Sequence, residues 1–149
     1  MDLFLIRHGQ STNNVIGDST ADYENRRDVD PSLTDLGQQQ AAAVARYLAE
    51  GDNLEMWVEL PQSSRDQMPR GFGITHVYAS PMLRTLQTAQ PIARALGLPV
   101  EIWIELHEHG GMYLDYADER GIIGHPGRRR SEILLDFPDY VLPDDLTED

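Results

Sequence analysis

Arg7-His8-Gly9, Ser80-Pro81-Met82-Leu83-Arg84 and Leu106-His107-Glu108 each stand at or just beyond the end of an apolar run. Those runs, Leu3–Ile6, Ile74–Ala79 and Val100–Ile104, read as strands. A histidine, two arginines and a carboxylate therefore come to one edge of a sheet, at the carboxyl ends of its strands. Ligands of open parallel sheets collect there. The residue types suit an anion: guanidinium groups bind oxyanions by charge-assisted, often bidentate bonds. Imidazole serves as base or nucleophile near neutral pH, and a carboxyl group can deliver a proton.

The elements that must position these groups follow from local pattern. Leu3–Ile6 is uninterrupted by polar residues, as suits a strand buried on both faces. Residues 10–33 are polar and read as a long loop. Thr34 opens a helix to about Glu50, with Asp35 in its first turn and Ala41–Ala45 at its centre. In the weaker stretch 51–73, Leu54, Met56, Trp57, Val58 and Leu60 suggest a short apolar element, and Pro61–Gly73 reads as surface loop. Ser80 as N-cap and Pro81 at the first helical position predict a helix to about Leu96, ended by Gly97. Strand, helix, strand, helix, strand implies right-handed crossovers and an α/β fold, a three-layer αβα arrangement on a mostly parallel sheet. Beyond Leu106 periodicity is lost; Gly110, Gly111, Gly121, Gly124, Pro126 and Gly127 mark loops, and only Arg130–Phe137 resembles a helix. The acidic end, Pro143–Asp149, shows no closing element.

Composition narrows the partners. The 149 residues carry 12 basic against 25 acidic side chains, a net charge of −13, and every basic residue is arginine. Such a chain lacks the basic face that nucleic acid or an anionic membrane requires. An anionic ligand must therefore be held by a few arginines in close contact, against the global field. The absence of cysteine excludes disulfides and zinc–thiolate sites. The apolar N-terminal run is too short for a signal or a spanning helix, so a cytoplasmic setting is the default expectation.

Four segments, in order, resemble the histidine phosphatase (phosphoglycerate-mutase-like) superfamily. Leu5-Ile6-Arg7-His8-Gly9-Gln10-Ser11-Thr12-Asn13-Asn14 is similar to its RHG signature, and Ser32-Leu33-Thr34-Asp35-Leu36-Gly37-Gln38-Gln39-Gln40-Ala41 to its L-T-x-x-G-x-x-Q-A helix start. Ala79-Ser80-Pro81-Met82-Leu83-Arg84-Thr85-Leu86-Gln87-Thr88-Ala89 resembles its S-P-x-x-R-x-x-x-T-A segment, and Leu106-His107-Glu108 its acid. The resemblance implies the phosphoglycerate-mutase-like fold and phosphoryl transfer through a phosphohistidine. It makes His8 the nucleophile, with its other ring nitrogen held by a hydrogen bond that fixes the tautomer. Arg7 and Arg84 would clamp phosphoryl oxygens, Gly9 would let backbone pass close to the phosphate, and Asn14 would help to line the pocket. Glu108 would be the general acid, its pKa raised by the nearby phosphate, with Glu105 as the competitor nearer the strand end. No metal or nucleotide cofactor is implied.

Other polar residues receive ordinary readings. His107 and His109 are expected at the surface or behind the site, and Trp57 and Trp103 in the core or covering it. Arg128-Arg129-Arg130 suits a solvated helix start better than a grip on a substrate carboxylate or second phosphate.

One family feature is missing. The superfamily completes its phosphate pocket with a second histidine on a later strand, and His76, His107, His109 and His125 do not supply it. His125, in Gly124-His125-Pro126-Gly127, lacks a preceding apolar strand and lies too soon after Glu108. The expectation is one histidine-phosphatase-like domain over residues 1–149, cut short at its C-terminal end, and weak or inactive in this form. The sheet edge beside the first strand would lie open, which implies a homo-oligomer, a rearranged C-terminal segment or low stability. The expected substrate is a small phosphorylated metabolite, and hydrolysis is favoured slightly over a mutase reaction. The alternative is a non-catalytic phosphate-binding or protein-interaction module.

Overall fold

The computed structural model describes residues 2–16, 26–51, 61, 64, 70–107, 111–116 and 118–148. The apolar element expected around Leu54, Met56, Trp57, Val58 and Leu60 lies outside them.

Helix α1, Thr12–Ile16, is a short turn of helix inside the stretch read as loop. It forms because Asn14 Oδ1 accepts both the Ser11 backbone N–H and its hydroxyl, at 2.9 and 3.0 Å. Helix α2, Asp35–Glu50, begins as expected: Thr34 is its N-cap and accepts from the Gly37 N–H. Its buried residues Gly37, Ala41, Ala45 and Leu48 recur at helical spacing and make one inward stripe. The small side chains let α2 pack closely on helix α3, Leu83–Leu96, where Ala45 and Leu48 form a core cluster with Ile92. Gly97 ends α3 in the left-handed conformation, φ 66°, as expected of a glycine past a helix end.

Helix α3 starts later than Ser80-Pro81 predicts, with Met82 as N-cap and no side chain of its own capping the first turn. The cap comes from elsewhere: Asp30 Oδ1 accepts the Leu83 N–H at 2.9 Å. Ser80 Oγ is instead 2.8 Å from Thr85 Oγ1.

Strands β1, Val77–Ala79, and β2, Val100–Ile102, pair in parallel, with Val77 opposite Val100 and Ala79 opposite Ile102. Both are shorter than predicted, and a 3₁₀ turn, Ile104–Leu106, follows β2. Leu3–Ile6 is not a third strand. Leu3 and Leu5 are 74% and 87% exposed, and among the described residues no strand pairs with the segment. Extended backbone becomes a strand only through a ladder with a neighbour, so the apolar run alone does not suffice. Phe4 does find a partner, packing edge-on against Phe72.

The C-terminal part holds more structure than its glycines suggest. Strands β3, Tyr113–Asp115, and β4, Ile122–Gly124, form an antiparallel hairpin, and helix α4, Arg130–Asp136, follows. The closing contact comes just before the acidic end: the Ile102 N–H donates to Val141 O at 2.9 Å, and the Val141 N–H to Val100 O at 2.8 Å, while residues 143–148 form neither strand nor helix. Val141 thus runs parallel to β2 along its outer edge. The main core joins Ala79, Val100 and Ile102 of the sheet to Leu86, Ala89 and Ala93 of α3, with Ile133, Phe137, Tyr140 and Leu142 closing over it. Helices packed on a parallel sheet make this an α/β fold. Trp103, expected in the core or covering it, is half-exposed against Tyr78.

Candidate active site

His8 lies one residue beyond Arg7 in the turn after the N-terminal run, and its Nδ1 is 2.7 Å from the Gly9 carbonyl oxygen. A carbonyl only accepts, so Nδ1 carries a proton, and in the neutral form of the ring the lone pair lies on Nε2. The Gly9 N–H donates to Thr88 Oγ1 at 3.1 Å, and that hydroxyl donates to the Arg84 carbonyl at 2.7 Å. The turn bearing His8 is thereby fastened to the helix bearing Arg84. Gly9 is buried where a Cβ would run into the Gly37 carbonyl, so close backbone approach requires glycine here.

Behind this turn, Gln10 is clasped by the start of α2. Its carbonyl accepts the Thr34 N–H at 2.9 Å, its side-chain oxygen accepts the Thr34 hydroxyl at 2.9 Å, and its own N–H donates to Gln40 Oε1 at 2.8 Å. Gln87 Oε1 of α3 accepts the Leu33 N–H at 2.7 Å. These polar side chains of the motif segments thus hold loops in register, as buried and half-buried backbone groups require partners.

Arg84 is 7% exposed, and its Nη2 donates to Met82 Sδ at 3.1 Å. Close to it in charge stands Asp30. Burial pushes the Asp30 carboxyl up, against the lowering effects of the Leu83 N–H bond and of the Arg128 and Arg84 guanidiniums. Asp30 and Leu83 also line a groove of about 590 Å³ with Met112, Gly127 and Arg128. The arginine run is held by the protein itself: Arg128 Nη1 donates to Asp136 Oδ2 at 2.6 Å, and Arg130 Nη1 to the Pro143 carbonyl at 2.9 Å. The Arg129 N–H donates to Glu132 Oε2 at 2.8 Å, within the first turn of α4.

His8, Gly9 and Arg84 are thus linked in one hydrogen-bonded series. Arg7 adjoins them in sequence; it is exposed, and among the described residues it forms no hydrogen bond or ion pair. Asn14 is exposed and spends its side-chain oxygen on Ser11, the role of a turn former. Glu108 and His109 lie outside the described residues, Glu105 is exposed, and the exposed His107 bonds through Nδ1 to the Ile104 carbonyl at 2.8 Å. A strand does precede His125, contrary to expectation: β4 runs straight into it. That strand belongs to the hairpin rather than the parallel sheet. Sequence reasoning gave no role to Thr88, Gly37 or Asp30. Thr88 was discoverable, since it lies four residues after Arg84 and so on the same helix face. No group of His, Asp or Glu among the described residues is arranged to hold a metal ion. No helix among them is long and apolar enough to cross a membrane.

Comparison with known proteins places this geometry. A PE-PGRS family protein of Mycobacterium tuberculosis is 32% identical over 112 residues, which cover 74% of this chain and 15% of that protein. Among solved structures, a mycobacterial glucosyl-3-phosphoglycerate phosphatase is 21% identical, with a TM-score of 0.43 over 89% of this chain and 45% of its own. The ecdysone phosphate phosphatase from Bombix mori is 19% identical, with a TM-score of 0.51 over 96% of this chain and 58% of its own, which shows a shared fold. The chain spans about half the length of these solved proteins. The sequence profile of the histidine phosphatase superfamily, branch 1, matches residues 3–58 and 65–123. With well over half of its residues matched and its histidine turn fastened to its arginine helix, the chain belongs to the histidine phosphatase superfamily.

Proposed function

We propose that this protein transfers a phosphoryl group through His8 and that water is the acceptor, so that a small phosphorylated metabolite is hydrolysed. The observation that carries the reading is the 2.7 Å bond from His8 Nδ1 to the Gly9 carbonyl. A proton held on Nδ1 supports Nε2 of the neutral ring as the nucleophile.

In the first step Nε2 attacks phosphorus, the ester P–O bond breaks, and the leaving alkoxide takes a proton from Glu108. In the second, water attacks phosphorus as Glu108 takes its proton; the P–N bond breaks, releasing inorganic phosphate and restoring His8. Arg7 and Arg84 hold the phosphoryl oxygens, where charge accumulates in the transition state. Gly9 gives the phosphate its close approach to backbone, and Asn14 keeps the turn in shape. A mutase would use the same first step and return the phosphoryl group to a bound hydroxyl.

Brief exposure to a ³²P-phosphomonoester, quenched in alkaline denaturant to preserve the acid-labile P–N bond, is expected to label the protein. His8→Ala should abolish the label and the release of phosphate. A label that survives in H8A removes His8 as nucleophile.

The second reading is a phosphate-binding module without turnover. It is favoured by the placement of the other described histidines: His76 stacks on Tyr78, His107 bonds the 3₁₀ turn, and His125 ends the hairpin. Such a module would bind inorganic phosphate or vanadate yet neither take up label nor release phosphate from any ester.

A further inference from the structure

Two segments far apart in the chain meet through one hydroxyl. Thr88 is 6% exposed and lies one helical turn after Arg84, on the same face of α3. Its Oγ1 donates to the Arg84 carbonyl at 2.7 Å, the common back-bond of a helical threonine. The same oxygen accepts the N–H of Gly9, 79 residues away, at 3.1 Å. The carbonyl of Gly9 then accepts from His8 Nδ1. The bonds run without a break from the Arg84 peptide, through the Thr88 hydroxyl and the Gly9 residue, to the His8 imidazole.

We propose that Thr88 is a positioning residue for His8: its hydroxyl sets the Gly9 backbone, whose carbonyl fixes the tautomer and aim of the imidazole. The proposal rests on the reading of His8 as nucleophile. A glycine has no side chain to steady its own backbone, so its neighbours must do so. On one side stands the Gly37 backbone, so close that no Cβ fits between. On the other is the Thr88 hydroxyl. Without it the buried Gly9 N–H has lost its acceptor, and a buried unpaired N–H drives the backbone to turn toward a new partner. That turn would swing the carbonyl away from His8 Nδ1 and release the ring to its other tautomer, in which Nε2 is protonated and cannot attack.

The test compares Thr88→Val, which keeps the shape and removes the hydroxyl, with Thr88→Ser, which keeps the hydroxyl. Imidazole ¹⁵N shifts report the His8 tautomer, and rapid-quench labelling reports the phosphorylation rate and KM. T88V is expected to show a mixture of tautomers and a phosphorylation rate lower by roughly 10- to 100-fold, the scale of a reacting group misplaced by about 1 Å, with KM little changed. T88S should match the unaltered protein in both. An unchanged tautomer and rate in T88V overturn the proposal, as does a T88S as defective as T88V. If the unaltered protein takes no label, the phosphohistidine reading falls while the tautomer comparison still decides the role of Thr88. If T88V does not fold, amide exchange at Gly9 in the unaltered protein decides it. Strong protection supports the bond to Thr88, and exchange as fast as an exposed peptide overturns it.

Discussion

Asp30 stands under opposing demands. Its carboxylate caps α3 through the Leu83 N–H and faces Arg128, with Oδ2 3.9 Å from Nε, yet burial raises its pKa above the usual 3.8. A carboxyl whose pKa is higher folded than unfolded binds more protons in the folded state across that interval. Its contribution to stability is therefore fully present below pH 3.8 and is lost as pH rises through the folded value. Asp30→Asn retains an oxygen for the Leu83 N–H and removes the titration. The melting temperature of the unaltered protein is expected to fall relative to D30N as pH rises above about 4, and the gap to level off beyond the folded pKa. Thermal unfolding across pH checks this; a gap that changes in the opposite sense would refute the assignment. Nothing local to Asp30 discloses this role, because its partner Leu83 is 53 residues away. Thr34 and Gly97 were legible, since a cap and a left-handed terminus act on neighbouring residues.

The elements show where pattern suffices and where it fails. Helix α2 could be bounded from its cap and its stripe of small residues, because helical hydrogen bonds close within four residues. The start of α3 slipped past Ser80-Pro81 because the cap that the first turn uses belongs to Asp30. At the other face of α3, Tyr140 donates its phenol to the Leu86 carbonyl at 2.6 Å, and burial pushes that phenol well above its ordinary pKa. This bond ties the segment after α4 to the helix behind the sheet. Tyr140→Phe removes it with little change of volume and is expected to cost about 0.5–1.5 kcal/mol. Denaturant unfolding measures the loss, and an unchanged midpoint would show that the bond contributes nothing.

For the whole molecule, charge and apolar exposure act against each other. A net charge of −13 keeps copies apart, while Leu3 and Leu5 stand largely in solvent on backbone that forms no ladder among the described residues. Such a run is a template for pairing with a second copy, most of all when salt screens the repulsion. The expected outcome is self-association that grows with concentration and ionic strength in sedimentation velocity. Replacing Leu3 and Leu5 together with lysine should suppress it while changing folding stability by no more than about 0.5 kcal/mol, as befits exposed positions. A monomer at every concentration and salt would refute the pairing. The outer edge of β2 needs no such partner, because Val141 already lies along it.

By itself the sequence determined the family, from four ordered motifs, and the positions of α2, α3 and α4 to within a few residues. It also marked out His8, Gly9 and Arg84, which the fold then joined in one series of hydrogen bonds. Only tertiary structure decided that Leu3–Ile6 stays outside the sheet, that Val141 covers β2, and that Asp30 and Thr88 connect distant segments. The physical reason is the range of the interactions. Periodicity and caps are settled among residues a few positions apart, and composition reads them. A strand edge, a cap donated from another loop and a shared hydroxyl depend on which backbone groups meet in space, and no local pattern encodes that meeting.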